Sequence, residues 1–397
     1  MTDSASTADS KQQPIWAEIS LPRLVANMRQ LQQQLAGADL LGVVKADAYG
    51  HGAIPCAIAL VQAGAQWLGV TSAEEGATVR AALQAQHLTA RILLMRCILA
   101  EDAEPALASN LTPAIAEPAH FEALESAATK LGLKNIPIHI ELDTGMSRQG
   151  VSPQQLPALL ARFTATSPLK LEGVMTHFAS AEEVTAPQNL DQIEQLAVAL
   201  AHIRAAGLPL QWLHAGSTAT IDADVALPAL RKLAAAAGAR LMCRPGIGLY
   251  GYAMELTGGA AHVRPALQPV LAWKTRILAL REVGPGARVG YNGTFIAPGP
   301  TRLALLAVGY ADGLRRSLSN TGDVLIAGKR ARIVGRVSMD VCSVDVTHIP
   351  EATVGDEAII LGEQGTEKIT ADDHARIDGT ISYDILCAIA KRVPRLY

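Results

Sequence analysis

Lys45 stands at the end of an apolar run, Leu40 to Val44, and is followed by the small residues and tyrosine of the segment Ala46 to Tyr49. A lysine at the exit of a buried strand loses hydration, which lowers the pKa of its ammonium group. An unprotonated lysine can form a Schiff base with an aldehyde. By itself, a lysine at a strand end is more often a surface residue. In this apolar setting we interpret Lys45 as the residue that holds an aldehyde cofactor.

Polar residues also stand at the ends of four later apolar runs or shortly after them. They are Arg148, His177, Ser217 and Arg244, with Gly246 close behind the last of them. If the runs are strands of one barrel, their carboxyl ends meet at the face where barrel enzymes carry their active sites. The segments 214–218 and 244–248 combine glycine with a serine hydroxyl, and loops of this kind after the last two barrel strands bind phosphate. The sequence therefore predicts a cofactor phosphate near Lys45.

The elements that must position these residues follow from the alternation of apolar and helical segments. The apolar runs are Leu40–Lys45, Trp67–Ser72, Ile92–Met95, Leu111–Ala116, Ile136–Asp143, Leu171–Phe178, Leu210–His214 and Leu241–Pro245. The segments between them are rich in alanine and carry apolar residues at three-to-four spacing, which is typical of helices. Eight strand–helix units in about 240 residues predict an α/β fold, a TIM-type (β/α)8 barrel over residues 23–260.

The two ends of the chain differ from the barrel. Residues 261–397 consist of short β-rich segments with glycine or proline turns, which predicts a mostly β C-terminal domain closed by a helix over Asp372–Lys391. Residues 1–14 are polar and lack the basic and apolar regions of a signal peptide, so we expect a disordered tail. No apolar segment reaches the length that spans a membrane.

Composition narrows the class of ligand. The net charge is -3 and aromatic residues make up 4% of the chain, so we expect no nucleic-acid partner. The five cysteines have no CxxC spacing, which argues against a disulfide framework or a zinc site and favours a cytoplasmic location. A small-molecule substrate and no metal are the expectation.

Several segments resemble those of bacterial alanine racemases. In order, they are Val43–Gly52, Asp143–Met146, Arg244–Ile247, Val289–Thr294, Gly309–Gly313, Ser338–Asp340 and Tyr383. The run around Lys45 is long and highly specific, and the resemblance extends from about Trp16 to the C-terminus. It implies a pyridoxal 5'-phosphate-dependent isomerase that interconverts L- and D-alanine, working as a homodimer with shared active sites. It also implies that the strand of residues 15–22 joins the C-terminal domain.

The resemblance implies roles for individual residues. Racemisation needs two bases, because the α-proton leaves one face of a planar intermediate and returns to the other. Lys45 would serve the D-face and Tyr291 of the partner subunit the L-face. The residues implied to hold the cofactor phosphate are Tyr49, Ser217, Gly246, Ile247 and Tyr383. Arg244 would face the pyridine nitrogen. His177 would bind the cofactor and, by relaying to Arg244, would supply the positive charge or hydrogen bond that Tyr291 needs to act as a base.

The substrate side is implied in the same way. Arg148 would contact the phenolic oxygen of the cofactor and the substrate carboxylate, and Met339 would meet that carboxylate through its backbone. Tyr310 and Asp340 would lie near the substrate entrance. Glu141 stands where many relatives carry a carbamylated lysine, and we expect it to pair with Arg148. Two smaller departures from the family pattern are Gly216 in place of asparagine and Ser338 in place of cysteine.

Other interpretations compete with this one. On residue type alone, His177 is more often structural and Arg148 is as often an ion-pair partner as a ligand contact. A serine or broader amino-acid racemase, a basic amino-acid decarboxylase of the same architecture, and a non-catalytic cofactor carrier are the alternative functions. The segment around Tyr291 favours the racemase, and the C-terminal domain disfavours the carrier. D-alanine supply for peptidoglycan and alanine catabolism need the same chemistry, so the sequence does not separate them.

Overall fold

The computed structural model describes residues 13–259 and 266–397. The chain divides into two compact units. Of the described residues, the barrel unit contains Pro22–Ala48 and those from Ala53 to Gln268, and the C-terminal unit contains those up to Leu21 together with Tyr49–Gly52 and Pro269–Tyr397. Residues 1–12 of the predicted tail and the predicted domain boundary between residues 260 and 261 lie outside the described residues.

The barrel unit is a closed barrel of eight parallel strands in sequence order, and the last strand pairs with the first. A separate strand, β1 (Ile15–Ile19), precedes them. The barrel strands are β2 (Asp39–Val43), β3 (Trp67–Val70), β4 (Arg91–Leu94), β5 (Thr112–Ile115), β6 (Ile136–Glu141), β7 (Leu169–Met175), β8 (Trp212–His214) and β9 (Arg240–Cys243). Because barrel strands are covered on both faces, they are nearly continuous apolar runs, which is why the sequence located all eight.

Helices connect the strands around the outside of the barrel. They are α1 (Leu21–Gln34), α2 (Ala53–Gln62), α3 (Ala73–Ala85), α4 (Ala100–Ala108), α5 (Pro118–Leu131), α6 (Leu156–Leu160), α7 (Pro187–Ala205), α8 (Thr218–Ala223) and α9 (Leu227–Ala236). Local sequence sets several of their ends. The Ser72 hydroxyl accepts the N–H of Glu75 at the start of α3, and Gly132 ends α5 in the left-handed region with φ 65°.

The C-terminal unit is built on a nine-stranded sheet. Its strands after β1 are β10 (Leu271–Val283), β13 (Thr301–Leu306), β14 (Asp323–Ile326), β15 (Lys329–Arg332), β16 (Cys342–Asp345), β17 (Glu357–Gln364), β18 (Glu367–Ile369) and β19 (Arg395–Leu396), and the hairpin β11 (Arg288–Val289) and β12 (Phe295–Ile296) is separate. Strand β1 lies antiparallel to β10 and parallel to β19. A closed barrel followed by a strand-rich domain confirms the predicted fold class.

The predicted closing helix is instead two helices, α10 (Ala371–Asp378) and α11 (Ser382–Ala388). Thr370 caps the first, with its hydroxyl accepting the N–H of Asp373. Gly379 then ends α10 in the left-handed region, at φ 71°. A glycine just after a helix is the usual stop signal, so the single-helix prediction was wrong for a reason present in the sequence. Among the described residues, no helix combines the length and the apolar character needed to cross a membrane.

Candidate active site

Lys45 opens a short helical turn, Lys45–Gly50, whose backbone is left-handed. Ala46, Asp47, Ala48 and Tyr49 have φ angles of 53°, 52°, 54° and 54°. Each such residue costs about 1–2 kcal/mol relative to a right-handed conformation, because Cβ crowds the following carbonyl oxygen. Strain of this kind persists only where the surrounding structure enforces it, and it concentrates at functional sites. The backbone therefore marks the Lys45 turn as a constrained site independently of its sequence.

A carboxylate from α3 holds the start of this turn. Glu75 accepts the N–H of Ala46 at 2.8 Å through one oxygen, and the N–H and hydroxyl of Thr71 at 3.0 and 3.2 Å through the other. Asp47, within the turn, accepts the N–H of Ala53 at 2.7 Å. These charge-assisted hydrogen bonds offset part of the strain. Glu75 lies 29 residues from Ala46, and no motif in the sequence indicates this contact.

Two of the residues predicted to bind phosphate meet in the C-terminal unit. The rings of Tyr49 and Tyr383 lie with their centroids 5.8 Å apart and tilted by 55°. Tyr49 is buried, and burial together with Tyr383 raises the pKa of its phenol well above the usual range, so the phenol stays protonated and can donate a hydrogen bond. A Cβ on Gly50 would lie 2.6 Å from the carbonyl oxygen of Leu386, so only glycine permits this approach.

The loops after β8 and β9 lie against each other in the barrel unit. The N–H of Arg244 donates to the carbonyl of Gly216 at 2.9 Å, and the N–H of Gly248 donates to the Thr218 hydroxyl at 3.1 Å. Ser217 and Gly246 each stand immediately before a short helical segment. In the part of the chain that the structure describes, the buried N–H groups of Gly246 and Ile247 donate to no protein acceptor. Such N–H groups beside a hydroxyl form an anion-binding arrangement.

Arg244 is buried and its guanidinium is held by the barrel. One terminal nitrogen donates to the carbonyl of His214 at 2.6 Å and to its Nδ1 at 3.3 Å, and the other donates to the carbonyl of Thr176 at 2.7 Å. The predicted hydrogen-bond relay from His177 to Arg244 is absent from the described residues, and His214 takes that place. Burial and the neighbouring charges of Arg244, Arg148 and Lys45 lower the pKa of His177 to about 3, so this histidine is neutral.

Glu141 ends β6 and is buried, but its partner is not the one predicted. Gln149 donates its side-chain amide to Glu141 at 2.5 Å and to the carbonyl of Met95 at 3.1 Å. Burial raises the pKa of Glu141 to about 7, against the charges of Arg244 and Arg148. Near neutral pH this carboxyl is thus divided between charged and neutral forms. Arg148 is exposed and has no ion pair among the described residues, so the expected Glu141–Arg148 pair is not formed.

The remaining predicted residues lie in the C-terminal unit. A Cβ on Gly309 would meet the carbonyls of Ser338 and Met339, at 2.4 and 2.2 Å, so the loops 309–313 and 338–340 touch. The N–H of Tyr310 donates to Ser338 across this contact, at 3.0 Å. These loops bring Tyr310, Met339 and Asp340 together. Tyr291 begins a separate 3-10 turn, Tyr291–Gly293.

Arg392 is a further functional residue that no motif in the sequence indicates. Its guanidinium donates to Asp312 at 2.7 Å and to Asp340 at 2.6 Å, and these two pairs raise its pKa above the usual range. Asp312 also accepts the N–H of Gly309 at 2.9 Å, so Arg392 connects the two loops described above. No group of three or more side chains suited to hold a metal ion occurs among the described residues.

Comparisons with known proteins agree along nearly the whole chain. Family models described as "Alanine racemase, N-terminal domain" and "Alanine racemase, C-terminal domain" match residues 19–254 and 270–397. The chain is 39% identical over 387 residues to an alanine racemase of Halothermothrix orenii, covering 97% of each, and 38% identical over 377 residues to that of Syntrophobacter fumaroxidans, covering 95% of each.

Solved structures give the same result for the fold. An alanine racemase from Streptomyces coelicolor superposes with a TM-score of 0.88 at 32% identity, covering 98% of this chain and 99% of that one. One from Bartonella henselae, described as having covalently bound pyridoxal phosphate, gives 0.81 at 28% identity, with 97% and 99% coverage.

Proposed function

The chain belongs to the alanine racemase family, and we propose that it interconverts L- and D-alanine with pyridoxal 5'-phosphate held by Lys45 and with Lys45 and Tyr291 as the two bases. The observation that carries this proposal is the Lys45 turn, in which four consecutive non-glycine residues are held in the left-handed region. A lysine aimed by such a constrained segment suits covalent attachment of a cofactor, since the reacting nitrogen must be fixed in one place.

The residues present fit a phosphorylated cofactor. In the barrel unit, the unsatisfied N–H groups of Gly246 and Ile247, with the Ser217 hydroxyl, supply donors for a phosphate. In the C-terminal unit, the phenol of Tyr49 beside Tyr383 is protonated and can donate a hydrogen bond, as its predicted role requires. Pyridoxal phosphate, when bound, supplies an aldehyde and a ring that withdraws electrons from the α-carbon of the substrate. Arg244 would face the ring nitrogen. A guanidinium keeps its protons, so it donates a hydrogen bond without protonating the ring and keeps the electron withdrawal weak.

The two bases would act on opposite faces of the substrate. Lys45 would remove or return the α-proton on the D-face, and Tyr291 on the L-face. His177 is neutral, so the positive charge that lowers the proton affinity of a tyrosine near this site would come from Arg244 and Arg148 rather than from the histidine. Because Arg148 has no protein ion pair among the described residues, its guanidinium is available to a substrate carboxylate, with the backbone of Met339 as a second contact.

A homodimer would complete the site. Tyr291, Tyr310 and Met339 are 68%, 44% and 54% exposed, and all three are large side chains that a monomer leaves in water. Tyr310 and Met339 lie on loops that touch, and contiguous exposed apolar surface marks protein interaction sites. We place them against the active site of a second copy of the chain, where Tyr310 and Asp340 would line the substrate entrance.

None of the five cysteines, all within the described residues, forms a disulfide, which fits a reducing cytoplasm.

Exchange of the α-hydrogen in deuterated water tests the two-base assignment. The native enzyme should exchange the α-hydrogen of both alanine enantiomers, and Lys45→Ala should exchange neither. Tyr291→Phe should lose exchange of L-alanine far more than exchange of D-alanine, since only the L-face loses its base. Equal loss for both enantiomers in Tyr291→Phe would contradict the assignment.

The same preparation separates the alternative functions. Parallel incubation with serine measures the substrate range. Release of carbon dioxide from lysine or ornithine would instead support a decarboxylase, and absence of any exchange would support a cofactor carrier. Spectroscopic titration with pyridoxal phosphate, comparing the native chain with Lys45→Ala, tests the cofactor assignment separately from catalysis.

A further inference from the structure

Five side chains are hydrogen-bonded in series through the interior of the barrel unit. At one end, Arg91 donates to Glu172 at 2.6 Å. The other carboxylate oxygen of Glu172 lies 3.2 Å from Nε2 of His139. Nδ1 of His139 lies 2.6 Å from Nε2 of His214, whose Nδ1 lies 3.3 Å from the guanidinium of Arg244. We call this series the buried chain.

The buried chain runs from one end of the barrel to the other. Arg91 is the first residue of β4, at the amino end of the barrel, and its side chain is 35% exposed. His214 is the last residue of β8, and Arg244 directly follows β9. Both histidines are fully buried, at 0% exposure. The buried chain therefore links solvent at the amino end of the barrel to the active-site end, where Arg244 is held.

Neighbouring side chains leave the histidines little freedom. The ring of Trp67 lies 5.6 Å from that of His139 and 5.7 Å from that of Trp212. A Cβ on Gly173 would lie 2.8 Å from ring atoms of His139, so a glycine on β7 makes room for the imidazole. The ring nitrogens of His139 and His214 have no other hydrogen-bond partner among the described residues, and a polar network without alternatives specifies one arrangement.

The direction of every hydrogen bond in the buried chain follows from its ends. A guanidinium only donates, so Nδ1 of His214 must accept from Arg244 and its proton lies on Nε2. That proton is donated to Nδ1 of His139, whose own proton then lies on Nε2 and is donated to Glu172. The carboxylate of Glu172 accepts at both oxygens, from His139 and from Arg91. Each histidine therefore carries one proton and is neutral.

The electrostatics agree with this assignment. Burial lowers the pKa of both histidines below the ordinary value. Burial alone would raise the pKa of Glu172, but the hydrogen bonds from His139 and Arg91 outweigh it and lower the pKa to about 2. Glu172 is thus a buried anion at neutral pH. Its charge polarises the two imidazoles in sequence and makes Nδ1 of His214 a stronger acceptor.

We propose that Glu172, His139 and His214 are positioning residues that fix the direction of the Arg244 guanidinium from the far end of the barrel. The proposal rests on the proposed role of Arg244 toward the cofactor ring. A buried guanidinium needs acceptors of defined geometry, and the buried chain supplies one whose direction is set by a carboxylate three side chains away. Reversing the hydrogen bonds of the buried chain would place a proton on Nδ1 of His214, facing the N–H of Arg244. This would break the contact between His214 and Arg244.

Solid-state nitrogen-15 NMR of the histidine-labelled holoenzyme tests the proton positions. The expected result is that His139 and His214, assigned by the signals lost in His139→Gln and in His214→Gln, are both neutral with the proton on Nε2. They should keep this state at about pH 5.5, a unit below the ordinary pKa of histidine, where an exposed histidine is charged. A proton on Nδ1 of either ring in the native protein, or protonation of either ring by that pH, overturns the proposal.

Glu172→Gln tests the link to Arg244. An amide has one acceptor oxygen, and if Arg91 occupies it, the amide N–H faces His139 and reverses the chain. The expected results are reversed histidine protonation, a shift in the visible absorption band of bound pyridoxal phosphate, and a fall in kcat on the order of 100-fold with little change in KM, because the misplaced group is not a substrate contact. Asp39→Asn is the matched control, since Asp39 pairs with Arg240 at 2.6 Å at the same end of the barrel.

If Glu172→Gln and Asp39→Asn give the same absorption band, the same kcat and the same histidine signals, the positioning role is refuted. Arg244→Lys tests the proposed function separately. If Arg244→Lys leaves the absorption band unchanged, Arg244 does not face the cofactor ring and its proposed role is refuted. The proton positions in the native protein are tested independently by the NMR measurement.

Discussion

Glu141→Gln is the substitution whose effect on stability follows most directly from the structure. Glu141 is 4% exposed at the end of β6, and its one side-chain hydrogen bond in the described residues comes from Gln149. Glutamine has almost the same shape and can still accept from Gln149, but it cannot ionise. The substitution therefore removes the cost of a buried charge and leaves the packing of the site nearly unchanged.

The magnitude follows from the pKa. The pKa of the Glu141 carboxyl rises from the ordinary value of 4.5 to about 7 on folding, chiefly because of burial. One pKa unit corresponds to about 1.4 kcal/mol, so ionisation in the folded protein costs about 3 kcal/mol. Between about pH 4.5 and pH 7 the folded state binds more protons than the unfolded state, so stability falls as pH rises. Below this pH window the contribution of Glu141 to the free energy of unfolding is fully present. Above the window that contribution is lost.

Urea unfolding of the cofactor-free protein at a series of pH values measures this contribution. The free energy of unfolding of Glu141→Gln, relative to the native protein, should rise by about 3 kcal/mol between pH 4.5 and pH 8. All samples need one subunit concentration, because association shifts the apparent stability. Glu101→Gln, on the exposed side of α4, controls for the loss of one carboxyl group. A difference between Glu141→Gln and the native protein that does not vary with pH would refute the reasoning.

Three further predictions concern the contacts around the site. Glu75→Ala should lower the free energy of unfolding by about 1–3 kcal/mol and weaken pyridoxal phosphate binding, because the N–H of Ala46 loses its acceptor; urea unfolding and cofactor titration measure the two effects. Gly50→Ala should lower the melting temperature, since its Cβ would lie 2.6 Å from a backbone carbonyl. Arg392→Gln should raise the KM for alanine more than it changes kcat, because the hydrogen bonds from Arg392 to Asp312 and Asp340 that connect the two loops are lost. Steady-state kinetics measures this, and Arg376→Gln, which removes an exposed ion pair within a helix, is the control.

The fold was predictable because its signals are local. The eight barrel strands are short, nearly continuous apolar runs, and each can be recognised from its own residues and its helical neighbours. The break at Gly379 was also a local signal, and the prediction of one closing helix overlooked it. Strand ends then placed Lys45, His177 and Arg244 at one end of the barrel. His214 ends β8 in the same way as His177 follows β7, so the same rule would have found it.

The partners of these residues were less predictable, because they are distant in sequence. Glu75 holds a backbone group 29 residues away, and Arg392 pairs with a carboxylate 52 residues away. Glutamate and arginine on a surface segment give no sign of such a contact until the chain is folded. For Glu141 the sequence favoured the nearest guanidinium, whereas the structure places the amide of Gln149 there. Side-chain direction within a loop of about ten residues is not determined by residue type alone.

The left-handed Lys45 turn also has a consequence for the order of folding. Its conformation is unfavourable in an isolated segment, so it cannot act as an early nucleus. It can form only after β2 and α3 are in place, since Glu75 must already be positioned to accept the N–H of Ala46. The segment that carries the reactive lysine is therefore completed late. Substitutions in this turn should change the rate of unfolding and leave the rate of folding almost untouched.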